Sequence, residues 1–411
     1  MTNGHILYVS YDGLTDPLGQ SQILPYILGL EKKGYVFDII SFEKKHLFQI
    51  NRELVNQMIA NRNIYWHYYF YTKKPPVIST LYDIYRMKHL ARKLQKEKSF
   101  HLFHARSYIS ALTGLNFKKK YGIPFIFDMR GFWADERVDG DLWNLKNPLY
   151  KWIYSFFKKK EQQFLQYADV VISLTHVAKK EIVSTIMPSI DATKIYIIPC
   201  ATDFNKFNPD AEPSKNKKLL LELNLPEDAF ILGYLGSIGT WYLLEEMMRF
   251  FVTLKRQCAH AYFLFLTPTP PNEIFPTAQQ FNIEKWIRIK YVTSMETPAY
   301  LKLIDFGIFF IKPSYSKMSS SPTKMAEFLA MNIPVVCNAI GDLKQQVEKL
   351  PHCYCLNDFN ESTFDDVCKK IMATNDEEQV TKNRLLAKEI YDLDKAVEQY
   401  AAIYKSLTCH E

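Results

Sequence analysis

Residues 317–336 read KMSSSPTKMAEFLAMNIPVV: a serine-rich approach, a helix start, and an apolar strand after a short break. Ser321 suits an N-cap, because its hydroxyl can accept from a free amide of the first helical turn, and Pro322 suits the first helical position, where its missing N–H costs nothing. The pattern predicts a helix over Thr323–Met331 and a buried strand over Ile333–Cys337. A helix start preceded by small hydroxyl residues offers unpaired N–H groups and the positive end of the dipole, a natural anion site. Lys324 and Glu327 share one face of that helix. A cation near the cap and a carboxylate one turn deeper suit a diphosphate and the ribose diol behind it. A capped helix with a surface Lys–Glu pair fits the same residues, so the rest of the chain must decide.

Working outward, the stretch is one unit of a β–α array. Strands are predicted at Phe230–Leu235, Ala261–Leu266, Trp286–Val292, Phe306–Ile311, Ile333–Cys337 and His352–Leu356, with helices between them. The loop after the first of these, Gly236–Thr240 (GSIGT), brings Ser237, Gly239 and Thr240 to the ligand edge of such a sheet. A similar array fills the first half. His5–Tyr11 (HILYVSY) is apolar without helical period and reads as a buried parallel strand. A loop over Asp12–Gln20 follows, then a helix over Ser21–Lys33 and a strand over Val36–Phe42. G-x-G-x-x-G is missing, so nothing here points to a dinucleotide. His101–Ala105 and Pro124–Met129 are strands that deliver Arg106 and then Arg130 to their carboxyl ends, the second opening a loop that continues ADERVDG. Two arginines at the ligand edge favour an anionic or polyhydroxyl ligand over a surface ion pair.

The stretch 200–218 (CATDFNKFNPDAEPSKNKK) is polar and rich in Asn, Pro and Lys, and it separates the arrays as a linker. From Lys382 the chain reads as helical to its end, a strap with no unfilled place in the second array. The predicted domains are 1–205, 206–381 and a returning helix over 382–411.

At 411 residues the chain exceeds one ordinary core, and 47% hydrophobic with 23% charged residues is a globular composition. A net charge of +7 is mild, and no DNA- or RNA-binding signature is present. The seven Cys show no metal-ligand spacing, consistent with reduced thiols, and the N-terminus reads as a strand rather than a signal peptide. No apolar run approaches a membrane span, so a cytoplasmic chain is expected. The segments WNLKNPLYKWIYSFFKKKEQQF from Trp143 and IYWHYYFYTKK from Ile64 combine aromatics with lysines. They read either as core-facing elements with solvated basic ends or as surfaces docking on an anionic membrane.

Two Rossmann-like domains, a central linker and a helix N-terminus site resemble the GT-B glycosyltransferases, and the motifs resemble retaining glycosyltransferase family 4 over nearly the whole chain. YADVVISLTHVAKKEI with IYIIPCATDFNKFNPD is similar to that family's "viPNGvD…F.P" segment: Asp203, Phe207 and Pro209 fit, while Cys200 and Ala201 replace Asn-Gly. SSSPTKMAEFLAMNIPVV resembles "EGfGlp.lEAmacGkPVI". Glu327 matches the second Glu of that pattern and Ser319 stands where the first would be. The Arg and Lys of the family's "GR…KG" are absent from Ser237–Trp241. The resemblance implies two domains facing across a cleft. It implies that Glu327 binds the ribose. From its position, Lys324, with Lys312 as its rival, is expected to replace a missing diphosphate cation, aided by amides of Ser320, Ser321, Thr323 and the 237–240 loop. Arg106 and Arg130 stand where relatives carry His-based motifs touching the donor sugar or its phosphate, and Gly19 and Gln20 in the loop closing on diphosphate and acceptor.

A retaining transferase of this class needs no enzymic nucleophile. The leaving diphosphate oxygen takes the acceptor proton, so Arg106, Arg130 and Lys324 would act on the leaving group. Asp128, Asp135 and Glu136 would hold sugar hydroxyls or the acceptor, a glycan or lipid-linked sugar of surface polysaccharide or glycoconjugate synthesis, while Asp128, at a strand end, fits a structural partner for neighbouring backbone equally well. The donor is a nucleotide-sugar, and no cofactor or metal is implied, since neither Asp-x-Asp nor a His cluster is present. The competing readings are a sugar-nucleotide epimerase of the same fold and a non-catalytic sugar-nucleotide-binding subunit.

Overall fold

The computed structural model describes residues 3–213, 215–373 and 377–408. Ser214 of the expected linker, residues 374–376 and the ends 1–2 and 409–411 of the expected domains lie outside them. The chain divides into two units, residues 1–199 with 393–411, and residues 200–392.

The first unit is a seven-stranded sheet built from β1 (Gly4–Ser10), β2 (Tyr35–Glu43), β3 (Ile64–Phe70), β4 (Leu102–Arg106), β5 (Phe125–Asp128), β6 (Val170–Ser173) and β7 (Ile195–Ile197). Its order is β3-β2-β1-β4-β5-β6-β7, with every pair parallel. The second unit has six strands, β8 (Phe230–Leu235), β9 (Ala261–Leu266), β10 (Ile287–Lys290), β11 (Phe306–Phe309), β12 (Val335–Asn338) and β13 (Tyr354–Leu356), in the order β10-β9-β8-β11-β12-β13. Helices cross over between successive strands, as parallel pairing requires. Both sheets are sandwiched, so β1, β5 and β11 are apolar runs buried almost throughout, without period-2 alternation. Each order reverses once, between β1 and β4 in the first sheet and between β8 and β11 in the second. The loops leaving those strands form the crevice at which open α/β sheets take ligands.

Four expectations are corrected. The stretch 12–20 is a loop only as far as Asp16; helices Pro17–Gln22 and Leu24–Lys32 follow, so Gly19 and Gln20 are helical. Gly19 is required there because a Cβ would stand 2.1 Å from the Gly13 carbonyl oxygen. The stretch expected to continue as a loop after Arg130 turns into helix Trp133–Asp139, which carries Asp135 and Glu136. The first unit ends at Pro199 rather than 205, because residues 200–207 are tied into the second. Thr202 N donates to the Tyr391 carbonyl (2.9 Å), and Arg384 donates to the carbonyls of Phe204 (2.7 Å) and Phe207 (2.6 Å). The terminal helix expected from 382 is two helices. Glu377–Tyr391 belongs to the second unit, whereas Leu393–Thr408 belongs to the first and packs on helix Leu24–Lys32.

Candidate functional site

In the first unit the register aligns Ser10 with Arg106, and Arg106 with Asp128, across the carboxyl edge of β1, β4 and β5. Asp128 is buried at the centre of a charged cluster. Its carboxylate lies 3.5 Å from His104 Nε2, 3.7 Å from Arg106 Nη1 and 3.9 Å from Arg130 Nη1, and it accepts from the Tyr400 hydroxyl at 3.5 Å. Burial alone would raise the Asp128 pKa, but Arg130, His104 and Arg106 together hold it below its ordinary value. Burial pushes His104 the opposite way, below its usual range, against the pull of Asp128. Its Nδ1 shares a 2.6 Å hydrogen bond with the Tyr404 hydroxyl. Burial likewise lifts Tyr8, in ring contact with His104 at 4.5 Å, to about 12. Arg130 sits at φ +54°, a left-handed turn that aims its guanidinium back over Asp128 and within 3.5 Å of Gln22 Oε1. These side chains line a small pocket with Tyr26 and the tyrosines of the last helix.

In the second unit the loops leaving β8 and β11 meet at the switch point. Lys324 opens helix Thr323–Ala330 and is buried, and its Nζ has no hydrogen-bond acceptor among the described residues. The ammonium lies 4.0 Å from the Tyr234 ring centre and 3.5 Å from that of Tyr242. A Cβ at Gly236, which sits at φ +95°, would be 3.7 Å from Nζ, so the ammonium lies against the backbone of the loop after β8. Burial drives the Lys324 pKa well below 10.5, with Glu327 pulling it back. Glu327 is raised by burial, opposed by Lys206 and Lys324. Lys206 also donates to Ser294 Oγ at 2.6 Å. The same loop is held by Lys317, whose ammonium stacks 3.8 Å over the Trp241 ring, and by Lys312 N donating to the Trp241 carbonyl at 2.8 Å.

Ser237, Gly239 and Thr240 lie in the loop whose Gly236 meets the Lys324 ammonium, and Ser319, Ser320, Ser321, Thr323, Lys324 and Glu327 lie on the turn and helix that carry it. Their detailed roles differ from expectation. Ser321 is not the N-cap. Pro322 occupies that position with extended backbone, and Ser321 Oγ accepts instead from Cys200 N at 3.1 Å. Ser319 is turned inward, donating to the Ser316 carbonyl at 2.6 Å within a short 3-10 turn. Ser237 offers its carbonyl to the Tyr234 hydroxyl at 2.7 Å.

In the first unit Arg106, Arg130 and Asp128 converge on one another. Asp135 stands apart from them, accepting from Tyr154 (2.8 Å) and Lys158 (2.9 Å) in a buried network with Glu161 and Tyr108. Glu136 shares its helix and is half-buried. Gln20 is spent on the Thr15 carbonyl (3.1 Å). Tyr8, Gln22, Lys206, Tyr234, Tyr242, Tyr400 and Tyr404 were not foreseen. The i,i+4 spacing of Tyr400 and Tyr404 was the one available signal of an inward stripe. Among the described residues no group of three or more His, Cys, Asp and Glu could hold a metal ion.

Residues 26–206 match the family model described as Glycosyltransferase Family 4. No curated protein matches the chain. Among solved structures, sucrose-phosphate synthase from Thermosynechococcus elongatus is similar at 13% identity, covering 98% of both chains with a TM-score of 0.72. HepE from Anabaena, in complex with UDP and glucose, is similar at 12% identity over 98% of this chain and 99% of its own, TM-score 0.70. A glycosyltransferase from Rickettsia africae shares 15% identity over 99% of each chain, TM-score 0.70. With two parallel sheets of matching order and likeness at this coverage, the chain has the two-domain, Rossmann-like GT-B fold.

Proposed function

We propose that the chain is a glycosyltransferase that takes a hexose from a nucleotide-sugar donor whose diphosphate binds at Lys324. The observation that carries this reading is a buried ammonium without an acceptor, at a helix start and at the switch point of the sheet. Burying an unpaired charge is unfavourable, and a diphosphate oxygen would relieve it by a charge-assisted hydrogen bond. Glu327, one turn deeper on the same helix, suits the ribose hydroxyls, with Lys206 beside it. The match of residues 26–206 and the UDP held by HepE support a nucleotide-sugar donor.

Arg130 and Arg106 keep net positive charge around Asp128 and suit a polyhydroxyl or anionic group of the acceptor, with Asp128 orienting both guanidinium groups. Stabilising the leaving diphosphate by fixed cations and amides is the main contribution available from these residues, and transfer with retention follows if the leaving oxygen takes the acceptor proton on the same face. The acceptor is a glycan or lipid-linked sugar of surface polysaccharide or glycoconjugate synthesis.

The test is a thermal-shift panel of UDP, GDP and ADP with their sugar derivatives, followed by donor turnover with and without acceptor. Acceptor-dependent release of nucleoside diphosphate is expected. Epimerised sugar formed without acceptor would replace this reading with an epimerase, and donor binding without turnover would replace it with a binding subunit. If K324A and E327A bind nucleoside diphosphate as the parent does, the proposed site is wrong.

A further inference from the structure

Three helices lie side by side on one face of the first sheet. Helix Ser107–Tyr121 is in the middle, joined to helix Ile78–Lys98 by Arg92 Nη2 donating to Asn116 Oδ1 (3.0 Å) and to helix Pro148–Tyr167 by the Tyr108–Glu161 hydrogen bond. The outer two share a pattern. Helix Ile78–Lys98 exposes Ile78 (64%), Leu81 (60%), Tyr82 (53%) and Tyr85 (65%), spaced i, i+3, i+4, i+7, before turning basic at Arg92, Lys93 and Lys96. Helix Pro148–Tyr167 exposes Leu149 (51%) and Trp152 (65%), the latter stacked on Phe156, before Lys159 and Lys160. Leu142 and Leu145, in the loop before it, are exposed too, and lysines 73, 74, 146 and 151 flank these apolar turns.

Isolated exposed leucines are ordinary, but two aligned apolar stripes with bulky aromatics are not. Soluble helices bury such a stripe and show water their polar face. Here the buried face is already used, by Ile84, Met87 and Ala91 in one helix and Ile153, Phe157 and Phe164 in the other. The outward stripe is a second one. Aromatic and aliphatic residues ringed by lysines match a layer whose boundary is anionic and whose depth is apolar. The two helices also begin at the same edge, because each leads from the carboxyl end of one parallel strand towards the amino end of the next. That is the edge carrying Arg106, Asp128 and Arg130.

We propose that the exposed first turns of helices Ile78–Lys98 and Pro148–Tyr167 dock the first unit on an anionic lipid surface, bringing the Arg106–Arg130 edge to an acceptor anchored in that surface. The docking stands on the helices alone; the role of the acceptor rests on the glycosyltransferase reading. Among the described residues no helix is long and apolar enough to cross a membrane, so the contact is peripheral.

The experiment is co-sedimentation of the full chain with vesicles of phosphatidylcholine alone and with about one-third phosphatidylglycerol, at low and high salt. Binding is expected to the anionic vesicles, to weaken with salt, and to fall at least about tenfold in K151E/K159E and in the apolar pairs L149S/W152S and L81S/Y85S. Scanning calorimetry of each variant shows that the first unit keeps its unfolding transition, and the shift of the second unit's transition with UDP, GDP or ADP reads its nucleotide site, so a failed donor site and a failed docking surface give different results. The proposal is overturned if the parent ignores anionic vesicles, if neutral vesicles bind it equally, or if charge reversal leaves binding unchanged. It is also overturned if the chain self-associates through these residues without binding vesicles, which would make the face a protein interface.

Discussion

A lysine ammonium without an acceptor inside a protein costs stability whatever its role, and Lys324 is such a group. Its pKa is depressed below 10.5, so between the depressed value and 10.5 the folded chain binds fewer protons than the unfolded one. Its contribution to stability therefore rises with pH across that interval, while affinity for a diphosphate falls as the ammonium is lost. K324M should weaken nucleoside diphosphate binding by roughly 10- to 100-fold and flatten that pH dependence, yet leave the ligand-free protein as stable as the parent or more so. Isothermal titration at several pH values and urea unfolding check both halves, and a less stable ligand-free variant would sink the argument.

Asp38 shows the opposite sign. Burial alone would raise its pKa, yet His5 (2.7 Å), His67 (2.5 Å) and Lys98 (2.8 Å) hold it well below 3.8. The stability it contributes is fully present above its ordinary carboxylate value and is lost as pH falls through the depressed one. D38N should cost roughly 3 kcal/mol near neutrality, read by urea unfolding, with the gap from the parent closing in acid below about pH 4.

At the scale of elements, every strand predicted above is present to within a few residues, because apolar runs bounded by Gly, Asn and Pro are the signature of buried parallel strands. The candidate site was legible in part for the same reason: Arg106 and Asp128 end strands, whereas Lys324 and Glu327 were marked by the helix start that follows a long loop after Phe309. What could not be read is how side chains pair. Asp128 is held by two arginines and a histidine, two of these partners lying one strand away, and Lys158, in a run of lysines that reads as a solvated basic end, points inward to Asp135 and Glu161. The helix Pro17–Gln22 was hidden because its Pro and Gly resemble loop residues, whereas Gly19 is there for close packing. G19A would drive a methyl into the Gly13 carbonyl at 2.1 Å and Leu14 Cα at 2.7 Å, both backbone atoms that cannot turn aside. It should destabilise the first unit by roughly 1–3 kcal/mol, measured by thermal unfolding.

At the scale of the molecule, the chain crosses between its units twice, once at 199/200 and again at 392/393. The return matters because helix Leu393–Thr408 supplies core to the first unit: Val397, Tyr400, Ile403 and Tyr404 are buried, and a Cβ at Gly29 would lie 2.6 Å from Val397 Cγ2. Tyr404 also closes on His104, and Tyr400 on Asp128, so the last helix forms one wall of the arginine pocket. The second unit keeps its own core, with Tyr391 at its margin, and does not depend on that helix. A chain ending at Asp392 should therefore lose the unfolding transition of the first unit while keeping that of the second and its response to nucleoside diphosphate. Within the full chain, Y404A should lower the first unit's transition by roughly 3–5 kcal/mol and disturb the Arg106–Asp128–Arg130 cluster without weakening nucleotide binding. Scanning calorimetry with and without UDP distinguishes the two transitions, because bound ligand raises only the unit that holds it. If truncation abolished nucleotide binding together with the first transition, the two units would be a single cooperative structure, and Lys324 would no longer account for donor binding by itself.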